Sequence, residues 1–530
     1  MRRWIKRWAQ RAALLSALTL AGAAQALTVE QALAIASGET DTRIEALGQA
    51  VAEGDDKTAA YLQALTDEVV KIKGAQLYVL REDKVSDPVT GQTLSLPDDA
   101  EDVMLNNRLR GELDTALAAL RLFSTDVADR LQSAQALLKE PQAAQRPLIE
   151  KALAMENNTH VRSTLVQALA ALDLSASEPA QRTQAAQALA GSAQPEVLLL
   201  LNQRLALEDD ASVKATLKAA IAQVQRGLNL GENLATLFTG ISLGSILLLV
   251  ALGLAITYGL MGVINMAHGE LMMIGAYATY VVQVAFRHYL PGAFDYYLLA
   301  ALPAAFITSA LVGALMERSI LKHLYGRPLE TLLATWGISL ILMQTVRSLF
   351  GAQNVGVENP SWMSGAIEVL PNLQLPWNRV LIIGFAAAVL LGMALLIAKT
   401  RLGLFVRGVT QNRPMASCMG INTARIDTYA FALGSGIAGL AGCALSQIGN
   451  VGPDLGQSYI VDSFMVVVLG GVGQLAGTVY AALGLGLVNK LLEGWTGAVL
   501  AKIAVLVFII VFIQKRPQGI FAMKGRSAEA

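Results

Sequence analysis

Eight long apolar runs fill the second half of this chain, at 234–258, 271–286, 296–316, 329–350, 380–398, 426–448, 460–492 and 499–513. A bilayer core about 30 Å thick takes about 20 such residues per helical crossing. Lipid offers backbone amides no partner, so runs of this kind fold as helices that satisfy themselves internally. The 460–492 run is too long for one crossing and contains Gly470, Gly471, Gly473 and Gly477, so it is expected to break midway and double back. Hydrophobic residues make up 54% of the chain and charged ones 15%, which leaves room for a sizeable part outside the bilayer.

That part precedes the runs. Residues 1–26 open with Arg2, Arg3, Lys6 and Arg7, continue with a short apolar stretch and end in Ala24-Gln25-Ala26. This reads as a signal peptide cleaved near Ala26, which would export Leu27 onward. Residues 27–231 are rich in Ala, Leu, Gln and Glu at helical spacing, with no run long enough to span, and read as a soluble helical domain. Strands are expected at 76–81 and 93–96, flanking the turn-forming stretch from Asp87 to Gln92. The stretch 153–169 recurs at 205–221 with an offset of 52, which predicts two stacked helical hairpins resembling HEAT-type repeats, a scaffold or docking surface. His160, in that repeat, reads as structural.

Orientation follows from charge. Basic residues gather at Arg318, Lys322 and Arg327, at Lys399, Arg401, Arg407, Arg413 and Arg425, and at Lys515, Arg516, Lys524 and Arg526, so those segments are expected on the cytoplasmic side. Three spans back from Arg318 put Glu232 outside, in agreement with an exported 27–231. Nine crossings, with the 460–492 run counted twice, join an outside start to a cytoplasmic end. The architecture expected is all-α: residues 232–530 as a polytopic helical membrane domain of about eight spans, one of them broken, after the soluble domain.

Polar residues at membrane depth are costly and mark a pathway or an interface. The stretch from Gly259 to Glu270 carries Asn265, His268 and Glu270 among glycines that include Gly269. It reads either as a broken helix lining a path or as a cytoplasmic turn whose Glu sits at a helix start. A second break, around Gly470, Gly471, Gly473 and Gly477, has Asp462 and Ser463 before it and Gln474 within it, and is expected to face the first. The basic, amphipathic stretch 399–422 suits a helix lying across the membrane face for a partner to grip.

Several classes of function are disfavoured. Lys plus Arg and Asp plus Glu both number 41, so no general attraction to nucleic acid is expected. The two cysteines, Cys418 and Cys443, form no metal spacing, and no cofactor is implied. The chain has no phosphate loop for ATP, and Ser435 and His268 lack the setting of a hydrolase. A passive channel needs only a polar constriction, but the basic membrane-face stretch argues against it.

The stretch 413–421 resembles the coupling loop of ABC importer permeases, with Ala416 and Gly420 in the pattern positions and Pro414 and Met415 replacing the usual Glu and first Ala. The motifs beginning at Asn265, Lys399, Ser463 and Lys515, together covering about 234–521, resemble the branched-chain amino acid permease family. The exported domain resembles the extension on urea permeases of that family. The resemblance implies an importer subunit without ATPase activity, for urea or alternatively branched-chain amino acids or short amides. It also implies a second homologous permease, two cytoplasmic ATPase subunits, an exported solute-binding protein and lipid as partners, alternating access, and an inner-membrane location. Arg413, Ala416, Gly420 and Ile421 would then form the ATPase contact.

Overall fold

The computed structural model describes residues 27–53, 56–81, 84–97 and 99–521. The signal-peptide reading of 1–26 and the basic residues Lys524 and Arg526 lie outside the described residues. The chain divides into two compact units, with the boundary between Asn229 and Leu230.

The first unit begins with helices α1 (Val29–Ala36), α2 (Thr40–Glu53) and α3 (Asp56–Thr66). An antiparallel sheet of β1 (Val70–Lys73), β2 (Gln76–Arg81), β3 (Lys84–Ser86) and β4 (Glu101–Asp102) follows, in the order β3-β2-β1-β4. The strand at 76–81 is therefore present, but its partners are β1 and β3; the 93–96 stretch makes only an isolated bridge from Thr93 to Ser86. The Asp87 carboxylate explains this, since it accepts from the Val89 and Thr90 amides at 2.8 Å and starts the turn directly after β3.

Helices α4 (Asn107–Arg121), α5 (Val127–Lys139), α6 (Arg146–Met155), α7 (Thr159–Asp173), α8 (Pro179–Leu189) and α9 (Pro195–Leu207) lead into α10 (Ala211–Met261). The 52-residue repeat is a run of three helices, α5 to α7 matching α8, α9 and the start of α10, rather than a two-helix hairpin. Its core repeats position by position: Leu137 with Leu189, Ile149 with Leu201, Val161 with Val213 and Leu165 with Leu217 are all buried. Each such side chain contributes roughly 1.5–3 kcal/mol by leaving water. The polar groups repeat as well. Arg130 Nε donates to Glu156 Oε2 at 2.7 Å, and Arg182 Nε donates to Glu208 Oε2 at 2.8 Å. In both copies the same guanidinium also reaches two backbone carbonyls of the preceding loop, Ser124 and Thr125 in one and Ala176 and Ser177 in the other. Asn158 and Asp210, the equivalent helix caps, each accept two backbone amides.

In the second unit, α10 from Leu230 onward is followed by α11 (His268–Tyr289), α12 (Tyr297–Ser319), α13 (Pro328–Phe350) and α14 (Trp377–Lys399). Two short helices, α15 (Arg401–Gln411) and α16 (Arg413–Cys418), precede α17 (Thr423–Ser446), α18 (Leu455–Gly470), α19 (Leu475–Thr496) and α20 (Ala498–Lys515). Eight of these helices are long and apolar enough to cross a membrane, and α18 is a shorter apolar helix. The 460–492 run is broken between α18 and α19, where Gly471 and Gly473 take the left-handed φ values of 98° and 76° that a side chain disfavours.

The middle of this unit is α17, buried along most of its length between α11 and α12. Glycine permits that packing. Gly439 lies against the backbone of Ala305, Gly275 against Gly439, and Gly442 against the Met272 carbonyl, in each case with no space for a Cβ. The bundle has two distinct ends. At one, Tyr297 Oη donates to the Glu358 carbonyl at 2.7 Å and Asn378 donates to the Gln447 carbonyl at 3.0 Å. At the other, the ends of α10, α12 and α14 meet α15, α16 and the C-terminal residues 516–521, and this end carries the basic clusters.

Candidate solute pathway

Helix α10 stops at Met261, and Gly262, with φ of 65°, turns the chain back. Residues 263–267 are non-helical, and α11 starts at His268. The depth of this start is fixed by α12: Ser309, in the middle turn of that 23-residue helix, donates to the Leu271 carbonyl at 2.9 Å. The chain thus turns at the bundle end, where α10 stops, and runs back without helix to the middle of the bundle, where α11 starts. Non-helical backbone is tolerated at such depth only when protein satisfies it. Thr335 of α13 does so, its Oγ1 accepting from the Met266 amide at 3.2 Å and lying 3.3 Å from the Ile264 carbonyl.

The break brings three of the sequence-predicted residues together. Asn265 Oδ1 accepts from the Ala267 amide at 3.1 Å, but its Nδ2 has no partner among the described residues. His268 Nε2 lies 3.1 Å from the Val250 carbonyl, so that nitrogen carries the proton in the bond and leaves Nδ1 as an unpartnered acceptor. Glu270 Oε1 accepts from Ser339 Oγ at 3.0 Å, while Oε2 has no partner among the described residues. All three side chains are buried, at 1%, 0% and 1% exposure. A buried donor or acceptor left open costs about 1–3 kcal/mol. Open valences concentrated in six residues are what a hydrogen-bonding guest would fill.

Asp462, Ser463 and Gln474 stand apart from that group. Asp462 of α18 pairs with Lys502 of α20 at 3.6 Å, and Ser463 is buried with its Oγ unpartnered. Gln474 lies at the basic end of the bundle. There the break at 471–474 is held by the C-terminal segment: the Ile520 amide donates to the Leu469 carbonyl at 2.8 Å, and Gly471 packs on Gly519 and Phe521. Gly470 and Gly477 face each other across this turn, backbone to backbone. The second break is therefore a clamped hairpin. The two breaks touch where Gly259 packs on Gly473, and further along the first break the start of α18 meets it, with Gly456 directly on Gly269. The stretch Gly449-Asn450-Val451-Gly452-Pro453-Asp454 was its sequence signal, with two glycines and a proline between apolar runs.

The membrane-face stretch forms α15 and α16. Gly420, at φ of 83°, closes α16 with the Ile421 amide donating to the Ala416 carbonyl at 3.1 Å, a left-handed helix stop. Ala416 is buried, while Met415 and Met419 are exposed. Arg413 turns inward, forming an ion pair with buried Asp427 and lying over the Tyr325 ring at 5.2 Å. Tyr325 Oη in turn donates to Glu317 Oε1 at 2.7 Å, and Thr428 donates to the other oxygen at 2.6 Å. Beside them a cavity of about 550 Å³ is lined by Ile256, Gly259, Arg407, Gln411 and Gln474.

Residues 236–514, just over half of the chain, match the family described as branched-chain amino acid transport system / permease component. The high-affinity branched-chain amino acid transport system permease protein LivH of Salmonella typhimurium is 29% identical over 294 residues, covering 54% of this chain and 94% of that one. BraD of Pseudomonas aeruginosa, described in the same words, is 27% identical over 290 residues, with 54% and 94% covered. A probable LivH of Methanocaldococcus jannaschii is 27% identical over 307 residues, with 55% and 93% covered. No solved structure matches. The chain therefore belongs to the branched-chain amino acid family of ABC transporter permeases, as a multi-pass membrane permease component.

Proposed function

We propose that this permease serves an ATP-driven importer of a small polar solute, foremost urea, working by alternating access. The observation that carries the reading is the mid-span group of Asn265, His268 and Glu270, each with a donor or acceptor unfilled. Urea is uncharged, small and rich in both kinds of group. The pairing of a separately folded unit up to Asn229 with a family segment at 236–514 also supports it, because it resembles urea permeases. In this reading residues 27–231 lie outside the cytoplasm as a docking or assembly domain, and the basic end, with the C-terminus, faces the cytoplasm. Two ATPase subunits supply the energy and grip the segment 413–421. A second homologous permease and an exported solute-binding protein complete the assembly. The relatives' names favour branched-chain amino acids as the second reading. Uptake of labelled urea and labelled leucine, in cells with and without this chain, separates the two. Loss of urea uptake alone supports urea, and loss of leucine uptake alone supports the second reading. If both rates stay unchanged, the chain is not an importer subunit for either.

A further inference from the structure

Tyr277 of α11 belongs to none of the groups described so far, yet its setting repeats theirs. Its side chain is buried, and its hydroxyl has no hydrogen-bond partner among the described residues. A buried tyrosine ordinarily engages that oxygen, and leaving it unfilled in the interior is costly. The ring is held in place: it lies against Phe350, with centroids 4.7 Å apart, and packs with Val346 of α13 and with Val451 in one apolar cluster. Tyr277 follows Glu270 by about two helical turns, so both stand on one face of α11. The same spacing on α13 separates Ser339, the partner of Glu270, from Val346, the neighbour of Tyr277. Long side chains lean toward the start of their helix, which carries the Tyr277 hydroxyl in the direction of Glu270. The Asp454 carboxylate, directly before α18, exerts its field on both Glu270 and Tyr277, so the two open groups share a neighbour.

We propose that Tyr277 is a further solute-contacting residue beside the mid-span group, its hydroxyl donating to a carbonyl or carboxylate oxygen of the solute. The inference rests on the reading of that group as the solute site and adds a donor to it. Of the open atoms at 265–270, His268 Nδ1 and Glu270 Oε2 accept, and Asn265 Nδ2 donates. A carbonyl oxygen has two lone pairs, so a second donor suits any solute that carries one, urea and leucine alike.

Tyr277→Phe removes one oxygen and keeps the ring against Phe350. Uptake of labelled urea and labelled leucine is measured with the assembled transporter in membranes, together with the thermal unfolding midpoint of the solute-free transporter. Uptake of whichever solute the parent carries should fall about fivefold or more, with the membrane level held within about twofold. The midpoint should stay level or rise, because an unfilled buried hydroxyl has been removed. Uptake equal to the parent's overturns the proposal. So does a fall in uptake accompanied by a lower midpoint, which is the mark of a structural bond. Glu270→Ala, measured alongside, separates the failures. If it impairs uptake and Tyr277→Phe does not, this inference alone falls. If neither does, or if the parent carries neither solute, the reading beneath it falls as well.

Discussion

Two sets of buried polar groups, one in each unit, are held in opposite ways. In the first, the carboxylates of Glu156 and Glu208 are nearly inaccessible, and each is saturated by an arginine and by backbone amides. In the second, Asn265, His268 and Glu270 are just as buried, yet each keeps a hydrogen-bonding atom open. Saturation fixes one geometry and resists change, whereas open valences leave a site able to take a guest or to rearrange. The difference teaches that burial alone does not mark a functional residue. In the proposed reading, what marks it is burial with several unfilled groups gathered in one short stretch.

The sharpest way to test this contrast is to remove the charged partners from the saturated side. Arg182→Leu combined with Arg204→Leu leaves the buried Glu208 carboxylate with only the Asp209 and Asp210 amides, and the opening equilibrium of the 176–210 region should rise at least ~100-fold, read by hydrogen exchange on the full chain. Protection unchanged by the substitutions would mean that the clasp contributes nothing. Acid should act in the same direction. The Arg182 guanidinium and neighbouring amides hold the Glu208 carboxyl down, from 4.5 to about 2. The folded state then binds fewer protons than the unfolded one between those values, so this contribution is complete above pH 4.5 and is lost as pH falls toward 2. The doubly substituted protein should show a smaller loss in its 176–210 region, because only the amides still lower that carboxyl.

On the open side the expected consequence is functional rather than structural. Glu270→Ala removes an acceptor and the bond to Ser339, and uptake should fall about tenfold or more, with membrane protein level held within about twofold. Glu270→Gln, which retains an acceptor for Ser339, should recover part of the rate. Equal and normal uptake by both variants would reduce the mid-span group to packing. Gly420→Ala probes the stop of α16 with a smaller effect: φ of 83° costs a Cβ-bearing residue roughly 1–2 kcal/mol. The expected result is a few-fold weaker ATPase co-purification, with Gly420→Asn milder because Asn tolerates that conformation. Identical binding by both variants would show that the stop does not position the ATPase contact.

Much of this was legible in the sequence because it is local. Apolar runs reveal spans, an offset of 52 reveals a repeat, and Asn265, His268 and Glu270 sit within six residues of one another. The break at 471–474 was equally visible from its glycines. Its role was not, because the residues that clamp it, Gly519 to Phe521, arrive from the end of the chain. Asp462 stood out as a charge in an apolar run, but its pairing with Lys502 depends on how α18 and α20 pack. Nothing in the sequence singles out Glu317, and only the fold brings Tyr325 and Thr428 to its two oxygens. Periodicity carries the elements, while pairing between distant elements carries the chemistry.

The smallest expected effect tests whether the second break belongs with the first. Gln474 shares the glycine-rich setting and lies next to Gly473, on which Gly259 of α10 packs. Its main-chain groups are already committed, the amide to the Gly471 carbonyl at 3.1 Å and the carbonyl to Thr478 at 3.0 Å. No side-chain bond from Gln474 is made among the described residues, and the side chain only borders the cavity beside Arg407 and Gln411. Nothing there is both buried and open, so Gln474→Ala removes no unfilled group from the mid-span break and breaks no fold contact. Uptake should stay within about twofold of the parent, close to the ±0.5 kcal/mol expected of substitutions away from such features. If Gln474→Ala instead reduces uptake as far as Glu270→Ala, the solute meets the basic-end cavity on its way through. The clamped hairpin would then be part of the path, and the division between saturated scaffold and open site would have to be redrawn along the bundle axis.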